Sequence, residues 1–286
     1  MSFVEQFKDQ TLDGSRVDNS HFDAANSMIA PSTIYNPRSG SQETLKYVRA
    51  QHNLNEPMDT HKIDTMILGK SSVDAEIEML ENQGGYGAIK RRYPGDNPWQ
   101  GTNEIIWTPY DVTRAIVKEL ELDDDDILYD LGSGYGRVVL YAGITTPAAC
   151  KGVEMVEERV DLARQAQTAL GLDNVEFKEG DVLQTDFSDG DVFYTYSPFS
   201  HETYEGVLAQ LKDIANAREQ VGKEPITIVA RGSGIYRFQN WLRHVKSIDV
   251  SFIVDHTNGP YEHGCTIGFF QSIPQDARRG RNSLPD

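Results

Sequence analysis

The stretch ILYDLGSGYGR, residues 127–137, carries an apolar run into a turn with glycines at 132, 134 and 136. The apolar repeat VVLYAGI follows directly. The short run reads as a buried strand and the repeat behind it as a helix. Strand, glycine turn and helix in that order open an α/β sheet whose ligands bind beyond the carboxyl ends of its strands. The glycines let a ligand come close to the backbone. Asp130, at the strand's end, restricts that ligand's charge. A dinucleotide site needs G-x-G-x-x-G, with the pyrophosphate on the helix N-terminus. Here Arg137 holds the third glycine position and the last glycine comes one residue early. A carboxylate beside the turn would repel pyrophosphate, and no G-K-[ST] follows to make a P-loop. The turn suits a ligand that is cationic where it meets the protein.

The rest of the chain supplies the sheet. Thr108-Pro109 reads as a helix start, Thr as cap and Pro at the first helical position, continuing through Val112, Ile116 and Leu120. Strand patterns at 127–130, 152–154, 175–179, 192–196 and 226–230 alternate with helical ones at 136–144, 157–170, 203–221 and 236–245. Two β-rich runs, 250–255 and 265–271, close the chain, joined by HTNGPYEHG. This predicts an α/β fold, a Rossmann-like doubly wound sheet, mostly parallel with a C-terminal antiparallel hairpin. Residues 1–107 read as an irregular and helical N-terminal extension, with helices expected at 42–53 and 72–82. Residues 108–273 then form the ligand-binding domain, and 274–286 a polar, Arg-bearing tail expected to be disordered.

The formal net charge of -17 across 286 residues disfavours a phosphate backbone as partner and favours a basic protein or an amine metabolite. Cys150 and Cys265 sit in apolar, strand-like settings, so a reducing compartment and two unpaired core thiols are expected. The first ten residues are too polar for a secretory leader, and no apolar run reaches the ~20 residues that span a bilayer. A cytoplasmic protein without membrane contact is the expectation.

The motif D-L-G-S-G-Y-G-R resembles the first motif of class I, seven-stranded S-adenosylmethionine-dependent methyltransferases. The resemblance implies that Asp130, Leu131, Gly132, Ser133 and Gly134 contact S-adenosyl-L-methionine. Glu154, 22 positions beyond Gly132, is similar to the acid that binds the ribose hydroxyls. Asp181 resembles the acid facing the adenine amino group, with the Val182 N–H meeting the ring. The stretch from WTPYDV to GVE is also similar to seven-stranded protein lysine methyltransferases, in which a threonine at the place of Thr108 lies near the cofactor's methionine end.

At the fourth strand's end, where members of the class hold their reacting group, the chain reads YTYSPF. Tyr196, Ser197 and Phe199 are the candidate catalytic residues, since rings facing an ammonium or sulfonium attract it. Base-methylating members carry [ND]-P-P-[YF] here, and this chain departs from that pattern. The resemblance therefore implies N-methylation of a lysine or another amine on a basic partner. Methylation of a small molecule at oxygen or nitrogen, and a non-catalytic S-adenosylmethionine-binding scaffold, stay open. NQGGYGAIKRRYPGDNPWQG, residues 82–101, mixes glycines with aromatics and is a candidate lid and acceptor groove.

Overall fold

The computed structural model describes residues 37–84, 88, 92, 107–196, 198–232, 234–238, 242–254 and 261–272. Most of the candidate lid, Ser197 and the tail lie outside them. Seven strands form one sheet in the order β3-β2-β1-β4-β5-β7-β6. They are β1 (Ile127–Leu131), β2 (Ala149–Glu154), β3 (Val175–Glu179), β4 (Val192–Tyr196), β5 (Thr227–Arg231), β6 (Arg243–Val254) and β7 (Tyr261–Gln271). The first five run parallel, while β7 lies antiparallel to both β5 and β6. The order reverses between β1 and β4, which places a ligand crevice at their carboxyl ends.

The helices are α1 (Pro37–Asn53), α2 (Thr60–Leu68), α3 (Ser72–Asn82), α4 (Tyr110–Leu120), α5 (Arg137–Thr145), α6 (Glu157–Leu170), α7 (His201–Gln220) and α8 (Gly234–Phe238). Alternation along each strand sends its side chains to two cores. Leu128, Cys150, Phe177, Val192 and Tyr194 pack with α1, α2, α4, α5 and α6 on one face. Tyr129, Leu131, Val153, Phe193 and Ile228 pack with α7 and α8 on the other. Asp130 shares the parity of Leu128, and Tyr196 that of Tyr194. The acid and the two tyrosines therefore belong to the face that α4, α5 and α6 cover.

Four local expectations need correction. The helix expected at 236–245 stops at Phe238, because residues from 243 onward are claimed by pairing with β7, with Arg243 opposite Gln271. Helix α2 was not expected. Asp59 caps it, its carboxylate accepting from the Lys62 N–H, and Gly69 ends it at φ 80°. Thr108 is not a cap: Pro109 occupies the N-cap position of α4 with no side-chain hydrogen bond. Helix α1 begins at Pro37 rather than at residue 42. The hairpin at the carboxyl end forms as expected. Among the described residues no helix is long and apolar enough to cross a membrane.

Candidate active site

The glycine turn between β1 and α5 lies at the foot of a cleft that Asp130, Gly132, Ser133 and Gly134 line together with Thr108 and Tyr196. Its backbone demands glycine. Gly132 sits at φ 87°, and a Cβ there would lie 2.7 Å from Pro198 Cγ, so the strand β4 exit closes over it. Gly134, at φ 55°, faces open space, so that any side chain would fill the cleft itself. The Gly132 and Ser133 N–H groups donate to the Val153 carbonyl at 2.8 and 2.9 Å, which pins the turn to β2.

Asp130 is 4% exposed. Its carboxyl makes no hydrogen bond among the described residues. Burial, and then the negative charge of Glu154, push its pKa from 3.8 up to about 8. An acid held so far out of water, with no partner among the described residues, is poised for a cation that those residues do not supply.

Glu154 is buried at the end of β2 with both oxygens engaged. Oε2 accepts from the Gly134 N–H at 2.9 Å and Oε1 from the Val156 N–H at 3.0 Å. Each oxygen keeps a second lone pair for a ligand hydroxyl. Asp181 is exposed beyond β3, and its Oδ1 accepts from the Leu183 N–H at 2.9 Å, a turn bond. Val182 and Leu131 are buried in the α7 face, where their side chains serve packing and leave only backbone for contact with a ligand. Phe199 stacks edge-on against Tyr204 of α7 at 5.3 Å, behind the turn rather than on the cleft wall.

Tyr196 lines the cleft with the Arg231 guanidinium 4.0 Å over its ring. The face expected to meet a ligand cation thus already carries one. Thr108 and Tyr194 join their hydroxyls at 2.6 Å, both buried and both on the cleft wall. Tyr194→Phe removes that bond and leaves the Thr108 hydroxyl without it. About 1 kcal/mol of stability should be lost, read by chemical denaturation.

Sequence reasoning missed a second layer. Arg137 pairs with Asp64 of α2. Its Nε lies 2.9 Å from Asp64 Oδ1, and Nη2 meets the other oxygen. Asp64, 1% exposed, also accepts from Ser72 Oγ at 2.6 Å and the Tyr110 hydroxyl at 3.0 Å. Glu76 of α3, equally buried, takes Arg159 Nη2 at 2.6 Å and the Tyr135 hydroxyl at 2.8 Å. Trp107, Tyr135, Arg137 and Ser72 join the cleft wall. No local signal reveals these acids, because each sits inside an ordinary helical pattern and its partner lies 73 or 83 residues away.

The residues present fit S-adenosylmethionine: a buried acid for positive charge that no described residue hydrogen-bonds, a glycine cradle open to the cleft, and an acid at the next strand end. The sheet order and this site define a class I S-adenosylmethionine-dependent methyltransferase. Residues 107–193 match the family described as histone methylation protein DOT1. An RNA methyltransferase from Salinibacter ruber, solved with S-adenosyl-L-homocysteine, is similar at 24% identity over 60% of this chain and 99% of its own, with a TM-score of 0.43. Precorrin-6y C5,15-methyltransferase from Geobacter metallireducens is similar at 16% identity over 60% and 94%, TM-score 0.45. The tRNA (m1A58) methyltransferase TrmI from Aquifex aeolicus follows at 12% identity over 60% and 72%, TM-score 0.44. No curated protein sequence matches the chain.

Proposed function

We propose that this methyltransferase acts on the nitrogen of a lysine, or of another amine, presented by a basic partner. The observation that carries the reading is the match of residues 107–193 to a histone methylation family, histones being strongly basic, in a chain of net charge -17. The SPF sequence after β4, in place of [ND]-P-P-[YF], supports an acceptor other than a nucleobase.

In this reading Asp130 meets the positive charge of the cofactor, Gly132, Ser133 and Gly134 let it approach, and Glu154 takes its ribose hydroxyls. Asp181 and the Val182 N–H face the adenine. Thr108, Ser72 and Arg137 surround the amino-acid end, the guanidinium supplying the charge a carboxylate needs. The bound cofactor supplies a methyl group activated on sulfonium. The acceptor amine must arrive without its proton, although a free lysine holds it up to a pKa of about 10.4. Two features of the chain favour the neutral amine. The cleft beside Tyr196 is partly desolvated, and Arg231 places a like charge close by. The proton leaves to solvent before transfer, and Tyr196 and Ser197 orient the nitrogen for in-line attack, with Phe199 packed behind the turn against Tyr204. Residues 82–101 would close over the acceptor. Within them Arg92 pairs with Glu157 and Glu158 at the start of α6, at 2.6 Å to Glu158.

The test is transfer of a labelled methyl group by the full chain into a fractionated cell lysate. Label in lysine side chains of basic proteins is expected. Label confined to RNA or to small metabolites overturns the acceptor. Binding of the cofactor with no transfer to any fraction favours the scaffold reading instead.

A further inference from the structure

We propose that Glu76, on α3 and outside the sheet, is a positioning residue that fixes the glycine turn in its cofactor-binding shape. The inference rests on the cofactor reading above. A closed ring of contacts carries it. The Tyr135 hydroxyl donates to Glu76 Oε2 at 2.8 Å, and Arg159 donates to Oε1 at 2.6 Å and to Oε2 at 3.1 Å. Arg159 Nη1 lies 3.7 Å from Glu154 Oε1, and Glu154 Oε2 accepts the Gly134 N–H at 2.9 Å. The peptide bond from Gly134 to Tyr135 closes the ring. Two adjacent turn residues are thus held from opposite sides, one through its side chain and one through its backbone, by a single ionic chain.

The ring gives Glu76 a role that packing does not. Helix α3 is anchored apart from it, with Met79 and Leu80 against Met155 and Val156, and the Ser71 hydroxyl capping its start. Removing the Glu76 charge leaves Glu154 as an acid within reach of Arg159, 3.7 Å from its Nη1. The guanidinium then draws that carboxylate away from the Gly134 N–H, while Tyr135 loses a charged acceptor. The turn is loosened at both residues although the helix remains.

Calorimetric titration of the full chain with S-adenosylhomocysteine tests this. Glu76→Gln should bind about tenfold more weakly, and Tyr135→Phe roughly threefold more weakly. Because Glu76 and Glu154 act through one ring, Glu76→Gln on top of Glu154→Gln should cost well under its effect alone. The titration's stoichiometry reports the folded fraction, so a merely structural role would show fewer sites at an unchanged Kd. That result overturns the proposal, as does strict additivity in the double variant. Should Glu76→Gln not fold, wild-type affinity in Tyr135→Phe overturns it equally. A natural chain that ignores S-adenosylhomocysteine overturns the cofactor reading itself, and this inference with it. Natural binding with unaltered Glu76→Gln binding removes only the role of Glu76.

Discussion

Asp130→Asn is expected to melt several degrees above the natural chain at about pH 9, while binding S-adenosylmethionine at least tenfold more weakly. Both effects follow from one buried carboxyl. Its pKa is pushed up to about 8 in the folded chain, against 3.8 when exposed. Between those values the folded state keeps a proton that the unfolded state has released. Stability therefore falls as pH rises through that window, at a slope of up to about 1.4 kcal/mol per unit, and levels off once both states are ionised. Asparagine has the shape of the protonated carboxyl and never ionises, so the penalty disappears and the gain is largest at alkaline pH. The same substitution removes the only charge on Asp130 that could answer a sulfonium or ammonium. Near pH 7 the natural chain must shed the Asp130 proton as the cation arrives. Calorimetry in buffers of different ionisation enthalpy should show about one proton released, and none for Asp130→Asn. Affinity should accordingly rise with pH to about 8 and then flatten. A melting temperature that falls in the variant, or proton release that persists, would sink the assignment.

What could be read in advance was local. The strand, turn and helix around Gly132 rest on contiguous residues, and so do the acids at 130, 154 and 181, each following its own apolar run. The antiparallel hairpin was legible because no helical stretch separates its two runs. The misjudged parts answer to distant partners. Residues 243–245 look helical in isolation, yet a ladder with β7, from Arg243 to Gln271 onward, settles them as strand. Thr108 has the chemistry of a cap, but its hydroxyl finds Tyr194, 86 positions on. The extension binds by charge as well as by packing: α2 and α3 each send one buried carboxylate to an arginine near the glycine turn. A truncation that removes residues 1–100 would take Asp64 from Arg137 and Glu76 from Arg159 along with the candidate lid. Point substitutions are the cleaner probe.

The largest stability loss should come from the first of those acids. Asp64→Ala leaves Arg137 buried without its carboxylate and takes the acceptor from Ser72 and Tyr110 at once. Breaking one partner out of a buried pair costs about 3–5 kcal/mol, which for a domain of this size lowers the melting temperature by roughly 10 °C. The pair need not be net stabilising for this to hold, since most of the loss is the uncompensated charge. Replacing both members, Asp64→Leu with Arg137→Met, should accordingly recover most of the melting temperature, short of the Tyr110 and Ser72 hydroxyl bonds that no longer have an acceptor. Cofactor affinity should not return with it, because Arg137 also lines the cleft and its rings of contact, Trp107 at 5.3 Å and Tyr110 at 5.6 Å, hold the guanidinium at that wall. Stability and affinity then separate in a single variant. If the double replacement restores both together, the ion pair is only a clamp between α2 and α5, and the amino-acid end of the cofactor must find its positive charge elsewhere.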